Sequence, residues 1–276
     1  MAAEASFTRV TYDLSGKHVL VTGASVGIGA GLAVGFAERG ATVGICARRT
    51  DKLESVLAQC REHAPESRAW TIDLADLDGL DAFARRASEE LGGIDVLVNN
   101  AGIPKRRTVA ALDSETVEAV MAINYFSPIR LTLALLPELV ARDGRIVFLS
   151  SVAARLSPPG EAAYAASKAA ISAWAECMKV DLRDTAVKIH VVYPGIIDTD
   201  LFTLPDNDPA PMAIEALPVE ALVVPVLDLV EQERFEVSVP DWFPDVYAGK
   251  YRDVEAFLDG TIAYVRTQQA EGTGVT

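Results

Sequence analysis

The segment TGASVGIG, residues 22–29, closes an apolar run, KHVLVT at 17–22, and opens a helical pattern that continues to Arg39. Gly23, Gly27 and Gly29 stand in a G-x3-G-x-G spacing, a variant of the dinucleotide-binding fingerprint. Glycines there allow a tight turn and let backbone N–H groups of Ser25, Val26 and Ile28 approach a pyrophosphate, and the following helix N-terminus adds a favourable partial charge. An ordinary Gly-rich turn is the plain alternative. The order strand, Gly-rich turn, helix favours nucleotide binding over it.

Working outward, apolar runs alternate with helical patterns. ATVGICA (41–47), SRAWTI (67–72), GIDVLVNN (93–100), GRIVFLSS (144–151), VKIHVVYP (187–194) and RFEVSVP (234–240) read as further strands. Between them, TDKLESVLAQCREH (50–63), with Thr50 as the expected cap, LDGLDAFARRASEEL (77–91), a long region 114–142 interrupted by Pro128 and Pro137, and 161–184 read as helices. Seven strands alternating with helices predict an α/β fold: a doubly wound, mostly parallel seven-stranded sheet with helices on both faces, the Rossmann fold. The strands are nearly continuous apolar runs, as expected when both faces are covered. With neither an internal repeat nor a low-complexity linker, residues 1–276 are expected to form a single dinucleotide-binding and catalytic domain, with a segment near 198–220 and a tail, 241–276, outside the alternation.

Composition narrows the partners. The chain has 276 residues, half of them hydrophobic, and a formal charge of −14, which argues against nucleic acid and anionic membranes. Cys46, Cys60 and Cys177 are scattered and odd in number, which points to a reducing cytoplasm rather than a disulfide framework. His18, His63 and His190 are equally scattered, so no metal site is expected. The opening MAAEASFTRVTYD does not read as a signal peptide, and LTLALLPELVA (131–141), with Pro137 and Glu138, is too short to span a bilayer.

A second motif, YAASK at 164–168, places a phenol and an ammonium four residues apart with small residues between. On a helix they share one face. With TGASVGIG come, in order, NNAG (99–102), Asn124, the Ser150–Ser151 pair, YAASK and PGIIDT (194–199). In this order the motifs resemble those of the short-chain dehydrogenases and reductases over roughly residues 14–240. Two departures are Val26, where many NADP-using members carry a basic residue, and His190, where Asn is usual; His190 is expected to be a satisfied core or surface histidine.

The resemblance implies nicotinamide-dependent hydride transfer with catalytic roles for Asn124, Ser151, Tyr164 and Lys168. Ser151 would hydrogen-bond the substrate carbonyl. Tyr164 would donate or accept the proton; its free pKa of about 10 is high for that task, and Lys168 one turn on would favour the phenolate. Lys168 would also hold the nicotinamide ribose, and Asn124 would help carry a water chain. The resemblance further implies that Asn100, Ala101 and Gly102 border the adenosine half, that Asp73 and Leu74 lie near the adenine, and that Pro194, Gly195, Ile197 and Thr199 contact the nicotinamide end. At the end of the second strand, Ala47 replaces the carboxylate that a 2′-hydroxyl needs, and Arg48 and Arg49 follow, so NADP is the expected cofactor.

At the substrate end, the segment after PGIIDT is read as a lid carrying Leu201, Phe202, Leu204, Met212, Ile214 and Leu217, and the tail packs six aromatics into the 24 residues 241–264 against 7% in the whole chain. A disordered tail would be poor in aromatics, so it is expected to pack on its own domain, on the cleft or on a neighbouring subunit. PKRR (104–107) reads as a solvated loop. The function expected is an NADP-dependent reductase or dehydrogenase of an apolar aldehyde, ketone or sterol-like alcohol. A 3-oxoacyl thioester reductase is the alternative within enzymes, and a non-catalytic nucleotide sensor the alternative outside them. The family resemblance also implies a homo-oligomer, a tetramer or dimer, built on the two long helices.

Overall fold

The computed structural model describes residues 12–199, 207–208 and 216–270. Seven strands form one sheet: β1 (His18–Thr22), β2 (Thr42–Ala47), β3 (Arg68–Thr71), β4 (Val96–Asn99), β5 (Arg145–Leu149), β6 (Lys188–Pro194) and β7 (Glu236–Val239). Their order is β3-β2-β1-β4-β5-β6-β7, and every pairing is parallel. The order reverses between β1 and β4. In an open α/β sheet that is the switch point, with a crevice beyond the carboxyl ends of the strands.

Side chains alternate between two cores. Val19 and Val21 of β1 and Val96 and Val98 of β4 face α1 (Gly27–Glu38), α2 (Thr50–His63) and α8 (Glu220–Glu231). Leu20 and Leu97 face α3 (Leu80–Leu91), α5 (Ser127–Ala141) and α7 (Ala162–Asp181) on the other side. This burial of both faces is why the strands read as unbroken apolar runs. Thr50 is the first residue inside α2 rather than its cap; its hydroxyl bonds Thr71 Oγ1 at 3.0 Å across the β2–β3 edge instead.

The region expected as one long helix is α4 (Ser114–Met121) running into α5 through a widened π-turn, Ala122–Phe126. The stretch Ser114–Ala141 is, contrary to the reading of its parts, long and apolar enough to cross a bilayer by length and composition. Here it is a core helix: Val120, Leu131, Leu135 and Leu139 are buried. Asn99 Nδ2 donates to Thr132 Oγ1 at 3.1 Å and so ties α5 to β4.

His190 is fully buried on β6, beside Val147 of β5, and its Nδ1–H donates to the Arg234 carbonyl at 2.6 Å. Nε2 has no partner among the described residues. Burial pushes the imidazole down to about 4. Its folded pKa lies below the unfolded value of about 6.5, so its contribution is fully present above pH 6.5 and is lost as pH falls through 4, on the order of 3 kcal/mol in all. His190→Asn should therefore flatten the acid limb of stability. Urea unfolding of both proteins at pH 7, 5 and 4 checks it; parallel curves would remove His190 from the acid response.

Candidate active site

The first wall of the crevice is the glycine-rich turn between β1 and α1. Gly23 and Gly27 have φ of 67° and 58°, which side-chain-bearing residues rarely adopt. A Cβ on Gly29 would stand 2.3 Å from Asn100 Nδ2 and 2.6 Å from the Gly23 carbonyl oxygen. The loop after β4 interlocks with this turn. Asn100 Nδ2 donates to the Thr22 carbonyl at 2.8 Å, and the backbone N–H groups of Asn100 and Ala101 donate to Thr22 Oγ1 at 3.0 and 3.1 Å. No side chain caps α1, so its first N–H groups face the cleft. That uncapped terminus, beside glycines whose missing Cβ atoms leave the approach open, fits the pyrophosphate of a dinucleotide.

The cleft itself holds about 910 Å³. Every residue expected to hold a cofactor lines it: Gly23 and Ser25 through Gly29, Arg48 and Arg49, Asp73 and Leu74, Asn100 through Gly102, Tyr164 and Lys168, and Pro194, Gly195, Ile197 and Thr199. Thr199 reaches back over Gly27, where an added Cβ would meet its Cγ2 at 2.9 Å. Arg48 and Arg49 are exposed at the rim, and an Arg49 guanidinium N–H donates to Ser25 Oγ at 3.3 Å.

Ser151, Tyr164 and Lys168 converge in the same cleft. Ser151 follows β5, and its Oγ accepts the Ala153 N–H at 3.1 Å while hydrogen-bonding the Tyr164 phenol. Lys168 lies one turn past Tyr164, its Nζ 5.8 Å from the phenol ring centroid. Nζ donates to the Leu149 carbonyl at 2.6 Å. Burial lowers its pKa to about 8. The phenol is pushed above its usual value, first by burial and then by the Glu161 carboxyl, against the Ser151 hydrogen bond and the Arg106 charge. The lowering expected from Lys168 is not seen in this structure, where the amine is turned to Leu149. Ser150, quoted above only as part of a pair, fastens α7 to β5: its hydroxyl bonds Lys168 O at 3.0 Å and Ser172 Oγ at 2.8 Å.

Asn124 does not line the cleft. It is buried in the π-turn, accepts from the Ile103 N–H at 2.8 Å, and donates to Ile103 O and Ser167 Oγ, both at 3.0 Å. Its Oδ1 and Lys168 Nζ both lie 3.3 Å from the point a Cβ on Gly102 would occupy. It is a brace between the β4 loop and α7, and the widened turn aims it there.

The substrate end differs more from expectation. Within PKRR, Arg106 is not solvated but buried at 3% exposure, and it lines the cleft. It clips a piece of the predicted lid: its N–H donates to Asn207 Oδ1 and its Nε–H to Asp208 O, both at 2.8 Å, and the Asp208 N–H donates to Arg106 O at 2.9 Å. Leu217 pairs with Ile197 in a parallel bridge. The other named lid residues, Leu201, Phe202, Leu204, Met212 and Ile214, lie outside the described residues. The tail forms α9 (Phe243–Arg252) and α10 (Val254–Ala270). Trp242, Phe243, Phe257 and Tyr264 face the cleft, Tyr247 is buried, and Tyr251 is exposed. Lys250, itself buried, anchors α9 by donating to Arg155 O at 2.7 Å. The tail thus walls the cleft of its own domain. Glu161, which sequence reading passed over, also lines the cleft. The available signal was its spacing: three residues before Tyr164, on the same helix face.

A family model described as short chain dehydrogenase matches residues 17–208. A Drosophila melanogaster protein named Dehydrogenase/reductase SDR family protein 7-like is 39% identical over 194 residues, 68% of this chain and 60% of that protein. The Rattus norvegicus Dehydrogenase/reductase SDR family member 7B is 34% identical over 272 residues, 94% of this chain and 80% of the relative. Among solved structures, a short chain dehydrogenase/reductase from Burkholderia phymatum in complex with NAD superposes with a TM-score of 0.81 at 21% identity, covering 89% of this chain and 96% of that one. An alcohol dehydrogenase from Thermococcus sibiricus complexed with 5-hydroxy-NADP gives 0.71 at 22% identity, covering 80% and 95%. These two likenesses are of fold.

Proposed function

The chain belongs to the short-chain dehydrogenase/reductase family, and on that premise we propose that it is an NADP(H)-dependent oxidoreductase acting on an apolar carbonyl or alcohol. One observation carries the reading: Ser151, Tyr164 and Lys168 meet in a cleft continuous with the uncapped N-terminus of α1. A nucleotide sensor would not need that convergence.

Bound there, the nicotinamide supplies or takes up the hydride. The residues do the rest. The Ser151 hydroxyl, held by the Ala153 N–H, is free to donate to a substrate oxygen and polarise it. Tyr164 carries the proton at its phenolic oxygen, and its raised pKa keeps it protonated, the form a reduction uses. Lys168 Nζ, next to Gly102 and the end of β5, can turn from Leu149 to a ribose hydroxyl. Trp242, Phe243 and Phe257 exclude water and favour an apolar body. Val117, Phe126, Leu133 and Val180, exposed on α4, α5 and α7 and on the turn joining the first two, support a homo-oligomer built on those helices. Consumption of NADPH across aldehydes, ketones and 3-oxoacyl thioesters tests the function; no consumption with any of them would sink it.

For the cofactor, Ala47 ends β2 buried at 7% exposure, with Arg48 and Arg49 at the rim. No carboxylate stands there to repel a 2′-phosphate. A charge-assisted Arg–phosphate contact contributes about 1.5–3 kcal/mol, on the order of 10- to 150-fold in affinity. Arg48→Ala should remove most of an NADPH preference and little NADH activity, and Ala47→Asp should push further toward NADH. The measurement is kcat/KM for both cofactors in all three proteins. A wild type that prefers NADH would refute the NADP assignment; a preference surviving Arg48→Ala would move its source to Arg49.

A further inference from the structure

The proposed hydride transfer leaves one carboxyl of the cleft without a task. Glu161 occupies the cap position of α7, where an acidic side chain ordinarily accepts from the first N–H groups of the helix. It makes no such bond. It lines the cleft instead, as do Leu156, Pro158 and Pro159. Among the described residues nothing hydrogen-bonds that carboxyl. The group is costly to keep there: burial raises its pKa to about 7, against the pull of the Arg106 charge. Arg106 lines the same end of the cleft, but its Nε–H is committed to Asp208 O. The substrate end therefore holds a carboxyl that accepts no hydrogen bond from the described residues.

Three kinds of substrate group could meet it. A substrate carboxylate would be repelled by Glu161. An ammonium would be opposed by the Arg106 charge and by Lys168. A hydroxyl suits the site in either protonation state, because a carboxylate accepts from it and a neutral carboxyl can both accept and donate. Glu161, at the cap of α7, stands three residues before Tyr164, and both line the cleft.

We propose that Glu161 anchors the substrate by accepting a hydrogen bond from a hydroxyl carried away from the reacting carbonyl. The natural substrate is then a hydroxylated carbonyl compound, or the corresponding diol, with an apolar body. This rests on the oxidoreductase reading above and adds a substrate class to it.

The test is NADPH consumption with matched aliphatic ketones, each with and without a hydroxyl, across a series of separations between hydroxyl and carbonyl. Wild type, Glu161→Leu and Glu161→Gln are compared, and cofactor Kd is measured separately. Wild type should favour the hydroxylated member of the best pair by on the order of tenfold to hundredfold in kcat/KM. Glu161→Leu should equalise the pair, chiefly through KM of the hydroxylated ketone, with cofactor Kd unchanged; Glu161→Gln should keep part of the preference. A residue that merely positions Tyr164 would instead lower both members equally, and that result overturns the anchor. So does a wild type that turns over ketones without preference, or a preference that survives Glu161→Leu. If wild type binds NADPH but reduces no carbonyl of either kind, the oxidoreductase reading itself falls and the anchor with it.

Discussion

Tyr164→Phe should lower kcat by about 10²–10⁴-fold while cofactor Kd stays within about twofold. The substitution removes one oxygen and keeps the ring. What is lost is the proton and the hydrogen bond to Ser151. Lys168 Nζ, held by Leu149 O at 2.6 Å, is not touched by the change, so the ribose side of the cleft keeps its shape. Stability should not fall. The phenol is half-buried and pushed above its ordinary pKa by desolvation and by Glu161, so the site holds it neutral and its removal takes away no charge. A cofactor titration followed by fluorescence, with steady-state turnover beside it, separates the two effects. A loss of tenfold or less in kcat would take Tyr164 out of the proton-transfer role; a large loss of cofactor affinity would make it a binding residue.

The fold was legible because the central apolar runs, β1, β2, β4, β5 and β6, are buried on both faces, which leaves few alternatives to a parallel sheet wrapped by helices. The glycine turn was legible for a sharper reason: Gly23 and Gly29 are the positions where an added Cβ meets backbone or Asn100 at 2.3–2.7 Å. The site's core was legible for a similar reason, since Tyr164 and Lys168 are brought together by a single helix. What stayed hidden depends on contacts between segments distant in sequence. Arg106 read as a solvated charge in a basic run, but residues 207–208 return to it and bond it. Asn124 was expected to help carry a water chain; that its amide bonds Ile103 and Ser167 depends on a π-turn, which has no local sequence signature here. Glu161 sat in plain view before YAASK. Its meaning comes from the hydrogen bond it does not make at the start of α7, and periodicity is silent on that. The tail's aromatics announced packing without a destination, which α9 and α10 supply along the cleft.

Lys168→Met should give the second large effect, and in two directions: a less active protein that is more stable at neutral pH. The amine is buried at 4% exposure, and burial lowers its pKa to about 8 from an ordinary 10.5. A depressed folded pKa in a base means that the unfolded chain holds its proton more tightly. The destabilisation is therefore fully present below pH 8 and disappears as pH rises through 10.5; it is on the order of 3 kcal/mol at pH 7. Methionine is close in length and carries no charge to bury. It forfeits the hydrogen bond to Leu149 O, which costs about 1 kcal/mol. The net expectation is a gain of about 2 kcal/mol at pH 7 that shrinks toward zero or below near pH 10.5. Function should move the other way. Without Nζ the cleft loses the ammonium that stands at Gly102 one turn from Tyr164, so cofactor affinity should fall about tenfold or more and kcat about 10²-fold or more. Urea unfolding of both proteins at pH 7 and pH 10.5, cofactor titration and turnover decide it together. An unchanged cofactor Kd would remove the ribose-holding role. A methionine variant that is less stable than wild type at pH 7 would mean that the buried ammonium is held by more than the Leu149 carbonyl. Both expected signs together would mark Lys168 as a residue the fold keeps at a cost in stability for what it does in the cleft.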